Sequence, residues 1–559
     1  VRAGARRLAG GGEGKNGPVR RRFDLTVVDG LAMAAIVAAG LAIRIPGLTS
    51  RDLWFDDAWA ALPSKVPLAT ATRMVVTTPL YTLAMRSWIL LHPGATWWAQ
   101  IPALVLGTAG IVAVFALLRS FGFQRAYAYA AAVIVAVGPV TVMYSTRVKE
   151  YPADLLFACL VLWLADRWHG SPTPARMAAL GIASAAAIAT SASTAAAVGG
   201  VVVLAAVVAL PRRELRAQVA GLVGGLAVTT AVLYLAWLRH IPSQLRANWR
   251  THGFIVGYAS LHGIAYSFQS IAAGLAHGIL GVPVTYTFFA SALLAESMLV
   301  AVATTLVLAA LVLPPLVRAV RSKGREVVVT FSCAAGIVLG VLGAVAGLSP
   351  LGDGRTDEVF YPMLLVLGAG AISWAAAAVG RRAPRTAHQT RAMRALCAAA
   401  VSIGALWFGV AHQAAYPPSG LTVVADQLRG HLEKGDLIVL DGYVSFTWGM
   451  EDQAPWGVSF VQGRVPWPMG FHVASLDPSV VLSRNYLSPD AAFPALATRT
   501  HRVWYVGINL GAYSPATPSD LSQFPLDSPT LLALERLGWK AGYLCCHYSG
   551  TYAQLFSHP

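Results

Sequence analysis

The sequence predicts a polytopic α-helical membrane protein of about 11 transmembrane helices, followed by a C-terminal extracytoplasmic α/β domain. Composition is the first observation behind this. Of 559 residues, 56% are hydrophobic and only 12% are charged, against about a quarter charged in an ordinary soluble domain. The second is that apolar runs of about 20 residues, the length that crosses a bilayer as a helix, recur from Leu25 to His412. The third is that basic residues gather in alternate loops, the bias that orients membrane helices.

Element by element, residues 1–24 form a basic cytoplasmic tail. Spans are expected at 25–45, 99–118, 125–144, 153–168, 174–193, 195–211, 217–238, 293–317, 326–348, 359–379 and 393–412. No cleavage-like site follows the first span, which reads as a retained helix. With the N-terminus inside, the inner loops hold Arg119/Arg125, Arg167/Arg176, Arg212/Arg213/Arg216, Arg318/Arg321/Lys323/Arg325 and Arg381/Arg382/Arg385/Arg391/Arg394. With the tail, these make 23 of the 42 Lys and Arg residues. The segment 79–93 is apolar but short and contains Arg86. Counting it as a span would put every later Arg cluster outside, so it reads as an interfacial helix on the outer surface. The long outer loops are then 46–98 and 239–292, within a transmembrane domain of 25–412.

From 413 to 559 the long apolar runs vanish. Residues 421–433 read as an amphipathic helix, 436–440, 502–507 and 541–544 as strands, and 529–537 as a helix. Such alternation suggests a small α/β domain. This part carries eight Lys or Arg against eleven Asp or Glu. The formal charge of +16 therefore belongs to the membrane part, and no nucleic-acid partner is expected. Cys159, Cys333 and Cys397 lie in apolar spans and read as packing residues. Cys545 and Cys546 form either a vicinal disulfide or two reduced thiols. No metal-ligand spacing is present.

Chemistry-bearing residues gather in the outer loops. Leu53-Trp-Phe-Asp56-Asp57-Ala-Trp59 puts two carboxylates among aromatic rings just past the first span. They read as interfacial helix-capping groups or as a general base. Desolvation and a neighbouring like charge raise a carboxylate pKa towards the range useful for deprotonating a hydroxyl. Tyr144-Ser-Thr-Arg147-Val-Lys149-Glu-Tyr151-Pro-Ala-Asp154 brings two cations and a tyrosine to the mouth of two spans. Lys149 anchors to lipid headgroups or binds an anion. Gly352-Asp-Gly-Arg355-Thr presents a guanidinium on a tight turn, suited to phosphate or to pairing with Asp353 or Asp357. Arg246, Arg250 and His252, in the loop 239–292, are candidates for binding a sugar, a phosphate or lipid.

These motifs resemble those of the GT-C superfamily of membrane glycosyltransferases, in the group of bacterial protein O-mannosyltransferases and lipid A aminoarabinose transferases. Leu53 to Trp59 looks like the family's first-loop Asp-Glu motif. Thr78-Pro-Leu-Tyr81 is similar to its Pro-Pro-Leu-Tyr-Tyr segment, and Tyr144 to Tyr151 to its Tyr-Ser-Gln-Glu-Ala-Arg/Lys-Pro-Tyr motif. Gly352 to Thr356 is similar to its late Gly-Gly-Arg turn. The resemblance covers about 25–412. It implies a GT-C fold and an inverting transfer from a polyprenyl-phosphate-linked sugar to a hydroxyl on the outer face of a bacterial plasma membrane. The acceptor would be a glycan, a lipid or a protein, and the sugar a hexose or pentose such as mannose or arabinose. Asp56 fills the catalytic position and Asp57 replaces the usual Glu. Lys149, Arg355, Arg147 and Tyr151 fall near the donor phosphate, and Tyr81 near the substrate. Arg147 stands where the family often has an acid, so a divalent cation is left open. The alternative reading is a transporter or flippase for a lipid-linked sugar or phosphate. That would place its ionisable groups at mid-membrane.

Overall fold

The computed structural model describes residues 26–49, 53, 55–65, 68–71, 77–92, 96–240, 325–345 and 358–382, and parts of 423–558. The expected spans 293–317 and 393–412 and the expected helix 529–537 lie outside them. Helices stand at Val27–Thr49 (α1), Phe55–Ala61 (α2), Leu68–Ala71 (α3), Pro79–Leu91 (α4), Thr96–Ser120 (α5), Arg125–Val137 (α6), Pro139–Tyr144 (α7), Tyr151–Gly170 (α8), Pro174–Thr190 (α9), Ala195–Ala209 (α10) and Arg213–Ala236 (α11). Two more follow at Arg325–Val345 (α12) and Phe360–Arg382 (α13). Among the described residues, Val27–Leu48, Trp97–Ser120, Ala192–Ala209 and Arg213–Ala236 are long and apolar enough to cross a membrane, with shorter apolar helices beside them. The chain is a multi-pass membrane protein.

One expected span is broken. Residues 125–144 form α6 and α7, interrupted at Gly138-Pro139. Proline has no N–H for the carbonyl four residues back, which ends the regular ladder. The Thr141 hydroxyl donates to the Val135 and Gly138 carbonyls at 2.7 and 2.9 Å. The chain thus turns before it reaches the Tyr144–Glu150 loop.

Close crossings use glycine. A Cβ on Gly200 of α10 would stand 2.3 Å from the Ser332 carbonyl oxygen and 2.8 Å from the Gly336 Cα of α12. Small residues let the backbones of membrane helices meet in this way.

At one end of the bundle the basic residues hold chain ends and turns. Arg125 pairs with Asp29 at 3.1 Å, and Tyr129 donates to the same carboxylate at 2.6 Å. Arg119 donates to the Phe123 carbonyl and Arg176 to that of Arg167. The acid-pair helix α2 lies at the other end.

The segment α4 is a two-faced helix. Tyr81, Thr82, Met85 and Ile89 are buried, whereas Leu80, Leu83, Leu90 and Leu91 are exposed. Arg86 donates to the Pro63 carbonyl, so its charge turns to the protein. Trp88 and Trp98 stack at 4.2 Å, and each indole N–H donates to the other's carbonyl, at 2.8 and 2.9 Å. This interlock joins α4 to the head of α5.

The tail holds a five-stranded sheet of order β2-β1-β3-β5-β4. The strands are Leu437–Leu440 (β1), His472–Ser475 (β2), Arg502–Ile508 (β3), Lys540–Tyr548 (β4) and Thr551–Ser557 (β5). β1 runs parallel to β2 and β3, while β5 is antiparallel to β3 and β4. β2 and β5 were not foreseen, although Tyr552, Ala553 and Phe556 of β5 are buried. The register of β4 shifts on both sides of Leu544. Cys545 is disulfide-bonded, which excludes a pair of reduced thiols, and Cys159 and Cys333 are free and buried.

One apolar core unites this tail with the first loop. Leu53, Ala58, Leu62, Tyr81, Met85 and Val148 belong to the same buried cluster as Val424, Leu428, Ile438, Trp504 and Val506. The tail sheet therefore sits at the acid-pair end of the bundle.

Candidate active site

The site is built where α1 leads into α2. Gly47 lies close against Thr146: a Cβ there would meet the Thr146 Cγ2 at 3.1 Å, tight enough that the threonine side chain would have to shift. This close approach fixes the loop 145–150 beside the outgoing chain. Two residues into α2, Asp57 is 1% exposed, and Arg147 Nη1 donates to its Oδ2 at 3.0 Å. A buried charge is stable only when paired, and this pair joins the first loop to the second.

Around the pair, Lys149 is buried and Tyr151 half-buried. The Tyr151 ring meets that of Tyr144 edge-on at 4.9 Å. Tyr81, from the far side, is electrostatically coupled to Glu150, Asp57 and Asp154. Burial and these carboxylates push its phenol well above the usual range. Asp154, fully buried at the head of α8, faces the Ser191 hydroxyl without a fully formed hydrogen bond to either oxygen. Thr78 donates to the Thr190 carbonyl, which ties α4 to the α9–α10 turn. Glu358, just before α13, is buried and coupled to Arg44 of α1; burial pushes its carboxyl well above the usual range and Arg44 pulls it back.

Of the residues expected from sequence, Asp57 and Arg147 meet, Tyr81 is coupled to Asp57, and Lys149 and Tyr151 follow Arg147 along the same stretch of chain. Asp56 lies in α2 next to Asp57, but its side chain is outside the described residues. So are Arg355, Arg246, Arg250 and His252. Sequence reasoning missed Arg44, Glu358 and Ser191. An arginine inside the first apolar span was a readable signal, because an intramembrane ionisable residue points to function by default.

Among the described residues no group of three or more His, Cys, Asp or Glu could hold a metal ion. Arg147, paired with Asp57, fills the place where the resemblance would put an acidic ligand. A guanidinium there repels a divalent cation.

This arrangement, a helical bundle with an acid-bearing first loop and an appended sheet at one end, is similar in fold to the solved structures of ArnT. The solved structures agree over nearly the whole length. ArnT from Cupriavidus metallidurans in the apo state matches with a TM-score of 0.53 and 14% identity, over 95% of this chain and 98% of that one. The same protein bound to undecaprenyl phosphate gives a TM-score of 0.54 at 14% identity, over 93% and 97%. An Archaeoglobus fulgidus oligosaccharyltransferase complexed with zinc and sulfate gives 0.47 at 12% identity, over 94% and 72%. No family model matches the sequence, and no curated protein does.

Proposed function

We propose that the chain is a membrane glycosyltransferase that moves a sugar from a polyprenyl-phosphate donor to an acceptor hydroxyl. Its acid-pair end faces the outside of a bacterial plasma membrane and its N-terminus the cytoplasm. One observation carries the reading: Asp57 and Arg147, 90 positions apart, meet at 3.0 Å beside buried Lys149. An acid and cations from separate loops thus share one end of the bundle. The solved ArnT with undecaprenyl phosphate supports the donor class.

In this reading Asp57 is committed to Arg147, and Asp56 is the general base. Asp56 takes the acceptor's hydroxyl proton. The oxygen forms a bond to the anomeric carbon as the bond from that carbon to the phosphate oxygen breaks, with inversion. The electron pair leaves with the polyprenyl phosphate, now a dianion, which Lys149, Arg355 and the remaining donors of Arg147 stabilise. The tail sheet, sharing a core with α2 and α4, closes the acceptor side. The hexosyl or pentosyl identity follows from a donor screen. The deciding assay is transfer from a panel of polyprenyl-phosphate sugars. Asp56→Asn should lose about 100-fold or more, the usual worth of a general base. Activity near wild type would remove Asp56 from that role.

A further inference from the structure

Arg44 lies five residues before the end of α1 and is 0% exposed. Nothing in the first-loop motif requires it. Its surroundings explain it. Pro139 removes the N–H that would bond the Val135 carbonyl, four residues back, and the final carbonyls of α6 lack helical donors in any case. The Gly138 N–H satisfies Ile134. Arg44 Nη2 donates to the Val135 carbonyl at 3.0 Å, and Nη1 donates to that of Ala136. Nη1 also donates to Gly40 within α1 at 3.0 Å. A side chain from another helix thus shares with the Thr141 hydroxyl the Val135 carbonyl that the proline left without its helical donor, and donates to the next carbonyl, Ala136.

The same guanidinium is coupled electrostatically to Glu358, which stands three positions beyond Arg355 and just before α13. Glu358 is coupled in turn to Asp154, and Asp154 to Glu150. Arg44 therefore holds the C-terminal end of α6, from which the chain runs through Gly138-Pro139 into α7 and the 145–150 loop. An unpaired buried carbonyl is costly, and Ala136 would lose its Arg44 donor.

We propose that Arg44 is a positioning residue of the site: with the Thr141 hydroxyl it replaces the donor lost at Pro139 and it holds the end of α6, so fixing the loop that carries Arg147 and Lys149. The catalytic part of this inference rests on the glycosyltransferase reading; the positioning part does not. It acts through the loop and touches no substrate.

The test uses the full-length protein in detergent, as wild type, Arg44→Gln and Arg44→Lys. The first readout is trypsin cleavage after Arg147 and Lys149, mapped by mass spectrometry. Arg44→Gln should be cut about tenfold faster or more, because cleavage follows the population of the opened loop. Arg44→Lys, which keeps the charge but not the planar fork, should fall between it and wild type. The second readout is turnover per folded enzyme with a polyprenyl-phosphate sugar. In Arg44→Gln kcat should fall about 10- to 100-fold, as a misplaced catalytic loop implies, while a purely structural role would lower only the folded yield.

Loop protection in Arg44→Gln within about twofold of wild type overturns the proposal. If Arg44→Gln does not accumulate, Arg44→Lys decides: cleavage and kcat indistinguishable from wild type overturn it. If wild type transfers no sugar from any donor, the glycosyltransferase reading fails, and loop cleavage alone still judges the positioning role.

Discussion

Breaking the Asp57–Arg147 pair should couple stability to the site in a measurable way. The charges lie 3.0 Å apart, with side-chain exposures of 2% and 17%. At an effective dielectric constant of about 20, their attraction is about 5 kcal/mol. Desolvation takes several kcal/mol of this back. Removing one partner leaves the other charge buried alone, which typically costs about 3–5 kcal/mol. Asp57→Asn and Arg147→Gln should each destabilise by about that much, whereas the double variant should lose much less than the sum. The expected coupling is about 2–4 kcal/mol. Unfolding by graded SDS in mixed micelles measures all four corners of the cycle. Additive losses within about 0.5 kcal/mol would refute the pair as the link between the two loops.

Other outcomes follow from single contacts. Gly200→Ala should destabilise by about 1–3 kcal/mol or more, because the added carbon meets backbone atoms of α12 that have nowhere to go; thermal unfolding in detergent reads it. Trp97, exposed beside the exposed leucines of α4, should be quenched by lipids brominated near the headgroup more than by lipids brominated at the chain end. The reverse pattern would place this face elsewhere. In the tail, burial raises the Asp436 carboxyl above its usual value although the Trp504 N–H, at 2.9 Å, pulls it down. Here the folded state holds the proton more tightly than the unfolded chain. Stability is therefore fully present below the unfolded value, about pH 3.9, and is lost as pH rises through the folded value. Trp504 fluorescence on denaturation should show this fall, and Asp436→Asn should flatten it.

The membrane helices were legible because a 20-residue apolar run has few alternatives, and an apolar helix announces itself by length. The break inside 125–144 was also written, at Gly138-Pro139, but it is invisible to a count of apolar residues. Strand β5 was missed because Thr551–Ser557, with polar residues at 551, 554 and 557, has no apolar run like that of β1. Its assignment needed its partners β3 and β4. The site was half legible. Asp57, Arg147, Lys149, Tyr151 and Tyr81 were named from motif order. That Asp57 takes Arg147 was not, for a sequence gives no distance between residues 90 positions apart. Arg147 was expected at the donor phosphate, and the pair now gives it a second task.

By itself the sequence determined the class of molecule, the run of apolar helices, the basic and acidic ends, and the identity of the residues fit for chemistry. These depend on local composition and length. Tertiary structure alone decided which of those residues meet. It set Arg44 under the proline break, Asp57 on Arg147, and the tail sheet in one core with the acid-pair helix. Such pairings arise from packing between distant segments, where burial makes each unpaired charge or carbonyl costly enough to select its partner.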